Sequence, residues 1–226
     1  MNFFSIAALA TPASTVPNPC SARRTRARHA GFSLLEMAIV IAVIMIVGGI
    51  ALLLAQEVTR RVHLQQTASN YSNLLQQARI RAVQNDQYYA VVTKPAASGN
   101  PAYAFMDIKQ TGTYAGGDPE FFFNSDVKPV SRSNAPNVSN LESQFLPSGT
   151  SSTVNTTAEG PTFGPRGLPC SPTATTGGTC PFLASPTSYE IFMKNTRSLN
   201  YEAVTVTPAG RIRQWSYGSG AWQPMN

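Results

Sequence analysis

Charge is scarce in this chain, and acidic residues are absent from its first 31 positions. Charged residues make up 12% of the 226, about half the ~25% usual for soluble domains. Four of the 17 Lys and Arg residues, Arg23, Arg24, Arg26 and Arg28, lie before residue 32, leaving 13 against 11 acids beyond it. The high pI is therefore a property of the N-terminus and is no sign of a nucleic-acid footprint over the whole molecule. Histidine is nearly missing as well, with only His29 and His63 present. No Cys/His cluster has metal-ligand spacing, no glycine loop is built to cradle phosphates, and His63 has no nucleophile near it in a supported Ser/His/Asp set. An enzyme is not expected, nor a cofactor or metal.

Cysteine is limited to three residues. Cys20 precedes the apolar segment described next, whereas Cys170 and Cys180 follow it. The nine residues between the latter pair, "SPTATTGGT", are loop-like. In an oxidising compartment, Cys170 and Cys180 can close a disulfide contributing on the order of 2–3 kcal/mol. The alternative is two free thiols.

Against these absences stands one long apolar run. Met37–Ala55 holds 19 residues without a charge or a proline, close to the roughly 20 needed to span a bilayer. With Phe32, Leu34 and Leu35 the apolar body runs 32–55, broken by Ser33 and Glu36. A cleaved secretory signal would have a core of about 7–15 residues and a small-residue cleavage site, so a retained membrane helix is the better reading. The four preceding arginines place the N-terminus in the cytoplasm and the later residues outside it.

No proline interrupts residues 32–94. Beyond Gln56 the apolar residues Leu64, Ala68, Tyr71, Leu75, Ala78 and Ala82 recur at spacings of three and four, which is one stripe of an amphipathic helix. A single helix over 32–85 would be roughly 80 Å long. From Tyr88 the pattern turns to short β-type runs: 88–94, 103–109, 120–127, 143–147, 188–195, 202–207 and 211–217. Residues 148–187 are rich in Ser, Thr, Gly and Pro and read as a long loop or decorated edge. "TPAG" (207–210) reads as a hairpin turn with Gly210 at positive φ. The expected fold is α+β, with an antiparallel sheet packed on one long helix. Its segments are a leader (1–31), a transmembrane helix half (32–56), an amphipathic half (57–87) and a β-rich globular domain (88–226). Residues 1–22 have no recognisable role, and translation starting downstream, at Leu9 or Val16, would shorten them.

"GFSLLE" (31–36), with basic residues before it and an uncharged helix after it, resembles the signature of type IV pilins and pseudopilins. That resemblance implies cleavage between Gly31 and Phe32 by a membrane prepilin peptidase and methylation of the new amine of Phe32. It also implies a role for Glu36. An ionisable group in the bilayer core costs at least ~2.5–3.5 kcal/mol. When subunits stack helix on helix, Glu36 can pair with the cationic Phe32 N-terminus of a neighbour. The competing reading is that Glu36 snorkels to the interface from near the helix end. Leu53 stands where pilins commonly carry a helix-kinking proline, which implies a straighter helix.

"LLQQARIRAVQND" (74–86), "PTFGPRGLP" (161–169, with Phe163, Pro165 and Gly167) and "VTVTPAGRIRQW" (204–215) resemble segments of the GspH/FimT-type minor subunits. The implied function is a structural subunit at the filament tip, priming assembly of a type IV pilus or type II secretion pseudopilus. Its partners would be the prepilin peptidase, other pilins or pseudopilins through the N-terminal helix, and the bacterial inner membrane. The implied topology is single-pass, with a cytoplasmic N-terminus and a periplasmic globular domain.

"GRIR" (210–213) adds an alternative, because in some FimT-type subunits a GRxR element is implicated in DNA uptake. On a strand, Arg211, Arg213 and Trp215 would share a face. Two guanidiniums would suit phosphates and the indole a base, while Ile212 would point to the core. Ordinary solvated turn arginines and a core Trp215 are the competing reading.

Overall fold

The computed structural model describes residues 33–97, 100–108, 111–146, 153–155, 160–170 and 187–225. Its contacts divide the chain between Val47 and Gly48. The described part of the first unit is helical from Leu34, and all of its side chains are exposed. The helix, α1, is assigned without a break over Leu34–Asn85, 52 residues. It is long and apolar enough to cross a membrane.

The second unit holds the remainder of α1 and all the strands. In chain order these are β1 (Tyr89–Lys94), β2 (Tyr103–Asp107), β3 (Glu120–Phe122), β4 (Val127–Val130), β5 (Thr153–Asn155), β6 (Thr162–Phe163), β7 (Pro169–Cys170), β8 (Thr187–Asn195), β9 (Tyr201–Val206), β10 (Ile212–Gly218) and β11 (Ala221–Pro224). A second helix, α2, spans Val138–Phe145. The strands make two sheets, ordered β3-β2-β1-β6-β7 and β11-β10-β9-β8-β4. All pairs on these paths are antiparallel, and β5 adds one parallel pairing to β8. The fold is α+β, a long helix packed on antiparallel sheets.

The stripe expected on α1 forms the main core. Leu64, Ala68, Tyr71, Leu75, Ala78 and Ala82 are all buried, packed with Val91, Met106, Phe163, Met193 and Val204 of the two sheets. The 3.6-residue period thus selects the face that leaves water. A second core lies on the opposite face of the larger sheet, where Phe192, Ala203, Trp215 and Trp222 pack with Leu141 and Phe145 of α2.

Four expectations are corrected. Residues 143–146 form no strand, and residue 147 lies outside the described residues: α2 covers Val138–Phe145, because Leu141 and Phe145 fall four apart and cap the second core. The run 120–127 splits into β3 and β4 around a turn in which the Val127 amide donates to the Asn124 carbonyl at 2.8 Å. The segment 148–187 is not all loop, since Thr162 and Phe163 are buried and pair with β1 and β7. One sheet becomes two.

One contact joins the helix to both sheets. Arg79 Nε donates to the Gly167 carbonyl at 3.0 Å. Gly167 lies in the β6–β7 turn, and Gly210 closes the β9–β10 turn against it. A Cβ on Gly210 would stand 2.6 Å from the Gly167 oxygen and 3.3 Å from the Arg79 guanidinium, at φ +76°. Glycine is required there by both space and backbone conformation.

Two carboxyl groups are buried with an oxygen that has no hydrogen-bond partner among the described residues, Glu190 Oε2 and Glu202 Oε2. Glu190 Oε1 accepts from Arg132 Nη1 at 3.0 Å, and the same nitrogen lies 2.6 Å from Glu142 Oε1. Burial pushes the Glu190 carboxyl up to about 7, with Arg132 opposing the shift. Burial alone does the same for Glu202, also to about 7. Both groups bind a proton more tightly folded than unfolded. Their contribution to stability is complete below about pH 4.5 and is lost as the pH rises through 7.

Two predictions follow from this packing, both read by unfolding of the full-length protein through the fluorescence of the buried Trp215 and Trp222. Gly210→Ala destabilises by about 2–3 kcal/mol, whereas Gly220→Ala, at φ +83° but with open space around its Cβ, costs about 1 kcal/mol. Stability falls by roughly 2–5 kcal/mol between pH 5 and pH 8, and Glu202→Gln removes part of that slope.

Candidate functional site

The described part of the first unit, residues 33–47, holds one charged side chain. Glu36 lies in the first turn of α1, where a carboxylate is favoured by the unpaired amides of the helix start. It is exposed and has no hydrogen bond or ion pair among the described residues. Around it Leu34, Leu35, Met37, Ile39, Val40 and Ile41 are exposed as well. Such a face is stable only against lipid or other helices. Gly31 and Phe32 lie outside the described residues.

The C-terminal hairpin is built by two turns. The Gly210 amide donates to the Thr207 carbonyl at 2.8 Å, and the Arg211 amide donates to Thr207 Oγ1 at 3.1 Å. Ser219 and Gly220, both at positive φ, then return the chain into β11, as a two-residue type I′ hairpin loop requires. This "SG" signal between "WSY" and "AWQP" is legible in the sequence, yet β11 and Trp222 are absent from the strands expected there.

The three proposed contact residues separate. Arg211 is exposed and Arg213 half-buried. Both line an open groove of about 800 Å³ with Gln65, Gln66 and Ser69 of α1 and Gln214. Neither guanidinium has a hydrogen bond or ion pair among the described residues. Trp215 is 1% exposed, and its Nε1 donates to Thr205 Oγ1 at 2.8 Å. The expected alternation holds, since Ile212 packs on the α1-side core and Trp215 on the opposite one. Accessibility does not hold: the Trp215 face is covered by α2, so the indole cannot stack on a base.

Elsewhere, the sequence gives no warning of a polar knot at the base of the domain. His63 Nδ1 lies 3.1 Å from Asp126 Oδ1, and Asn195 Nδ2 donates to Asp126 Oδ2 at 2.8 Å. Asn195 also reaches the Arg60 carbonyl at 3.4 Å, and Asn124 Nδ2 donates to the His63 carbonyl at 2.9 Å. His63 is thus held as a structural partner of β4 and β8. Among the described residues, no group of three or more His, Cys, Asp or Glu could hold a metal ion. Cys170 is disulfide-bonded, and Cys180 lies outside the described residues.

No curated protein sequence matches the chain. A solved structure of the type IV minor pilin FimU from Pseudomonas aeruginosa is similar, with 16% identity, 73% of this chain and 96% of that chain covered, and a TM-score of 0.43. Residues 26–52 match the family model of the prokaryotic N-terminal methylation motif, and that match spans the four features that set this segment apart: Gly31, Phe32, Glu36 and the uncharged helix.

Proposed function

We propose that the chain is a minor type IV pilin or pseudopilin. Its precursor enters the bacterial inner membrane with the N-terminus in the cytoplasm and the globular domain in the periplasm. The prepilin peptidase cuts after Gly31, and the amine of Phe32 is methylated. The mature subunit then joins other pilins or pseudopilins through α1, at the tip of a pilus or a type II secretion pseudopilus, where it primes assembly. The observation that carries this reading is the methylation-motif match over residues 26–52.

The chemistry of assembly follows from Glu36. Cleavage creates a cation at Phe32 that did not exist in the precursor. A carboxylate four residues along an apolar helix is costly in lipid, and pairing it with the Phe32 amine of a neighbour offsets that cost. Because the pair is intermolecular, it also selects the axial register of the stacked helices. In the periplasm, the Cys170 disulfide is assigned to Cys180, closing the loop between them.

A second reading, DNA binding during uptake, rests on the unpaired Arg211 and Arg213 guanidiniums in their groove. It now stands on phosphate contacts alone, without Trp215.

Glu36→Ala leaves membrane insertion and processing intact and lowers incorporation into filaments at least tenfold; normal incorporation contradicts the assembly role. Peptide mapping without reductant gives a Cys170–Cys180 cross-link, and free thiols at both positions contradict it. For the second reading, Arg211→Ala/Arg213→Ala weakens DNA binding and lowers the salt slope by about two; equal, salt-insensitive binding by both proteins rejects it.

A further inference from the structure

We infer that the base of the globular domain carries a binding groove for one anionic phospholipid, with the β8–β9 turn inserted beside it in the membrane interface. The groove has a volume of about 580 Å³ and a lining of two chemical kinds. Leu52 and Ala55, which precede the others along α1, supply the apolar part, and Arg60, Arg197, Ser125, Thr196, His63 and Asp126 the polar part. A soluble anion would use only the polar part. A phospholipid uses both, with its acyl chain on Leu52 and Ala55 and its phosphate on the guanidiniums and hydroxyls.

The chain itself puts this groove at the lipid boundary. Ala55 is the last residue of the apolar run, and Gln56 is the first polar residue after it. At 1.5 Å per residue, Arg60 lies about 7.5 Å further along α1. The headgroup layer on each side of the hydrocarbon is about 5–8 Å thick. Arg60 and Arg61 therefore fall within it, where a basic side chain meets anionic headgroups.

The turn between β8 and β9 is held at the same level. Asn200 Nδ2 donates to Glu57 Oε1 at 3.0 Å, Asn195 Nδ2 reaches the Arg60 carbonyl, and the Arg197 amide donates to Asn195 Oδ1 at 2.9 Å. Leu199, at the tip of this pinned turn, is 81% exposed. Beside Arg197 it forms a short amphipathic tip suited to the interface. The charges favour an anion. Arg60, Arg61 and Arg197 face Glu57 and Asp126, and the Asp126 carboxylate is already occupied by His63 and Asn195. The Arg197 guanidinium has no partner among the described residues.

The proposal rests on the membrane reading of α1, which alkaline carbonate washing of membranes tests separately. Release of the protein fails that reading, whereas retention without the lipid preference below fails the groove alone. Full-length protein in detergent, mixed with phosphatidylglycerol or phosphatidylcholine of the same acyl chains, is read by native mass spectrometry. One phosphatidylglycerol is expected to be retained at about a tenfold lower concentration than phosphatidylcholine. Arg60→Gln/Arg197→Gln abolishes the preference with an unchanged Tm. Equal retention of the two lipids, a preference that survives in the double variant, full competition by equimolar inorganic phosphate, or dimer in place of the lipid adduct each overturns the proposal. Leu199→Trp, read above the buried Trp215 and Trp222, is quenched by lipids brominated in the acyl chain; no quenching overturns insertion of the turn.

Discussion

The hydrogen bond from Arg79 to the Gly167 carbonyl is the point at which three distant segments become one domain. The helix supplies the guanidinium, the β6–β7 turn the acceptor, and the β9–β10 turn the glycine that lets both approach. The other end is held by the knot of His63, Asp126, Asn124 and Asn195. Between them the apolar stripe of α1 supplies the bulk of the burial but little direction, because hydrophobic contact alone does not fix how far a sheet slides along a helix. The polar contacts at the two ends specify that register.

This arrangement divides α1 into parts with different solvents. From Leu64 to Ala82 its stripe is buried against protein. From Leu34 to Leu52 its large side chains are exposed, and they require lipid or other helices. Glu36 is the one charge near the start of that second part.

The sequence made the α1 stripe legible residue by residue, because a 3.6-residue period depends on the helix alone and not on what covers it. The strands with β-branched and aromatic alternation, β1, β2, β8, β9 and β10, were legible for the same reason. What escaped was set by partners far along the chain. The segment "PTFGPRGLP" lacks β-propensity, and it enters a sheet through its glycines and the contact with Arg79, 88 residues away. Residues 143–147 look β-like in isolation, yet Leu141 and Phe145 fold as α2 because Trp215 and Trp222 offer a second core. The same second core explains why Trp215 faces as expected and still cannot be reached. Burial of both faces of the larger sheet is a tertiary fact that strand alternation cannot report.

The central claim is that Phe32 becomes a new, cationic N-terminus whose partner is Glu36 of another copy or a related subunit. The most direct measurement is the N-terminal peptide mass of the chain recovered from membranes or filaments. The account predicts a mature protein beginning at Phe32, with one methyl group on its amine, and a precursor that accumulates when the prepilin peptidase is absent. A membrane-bound chain that keeps residues before Phe32, or is cut at a site within or beyond the apolar run, would contradict it.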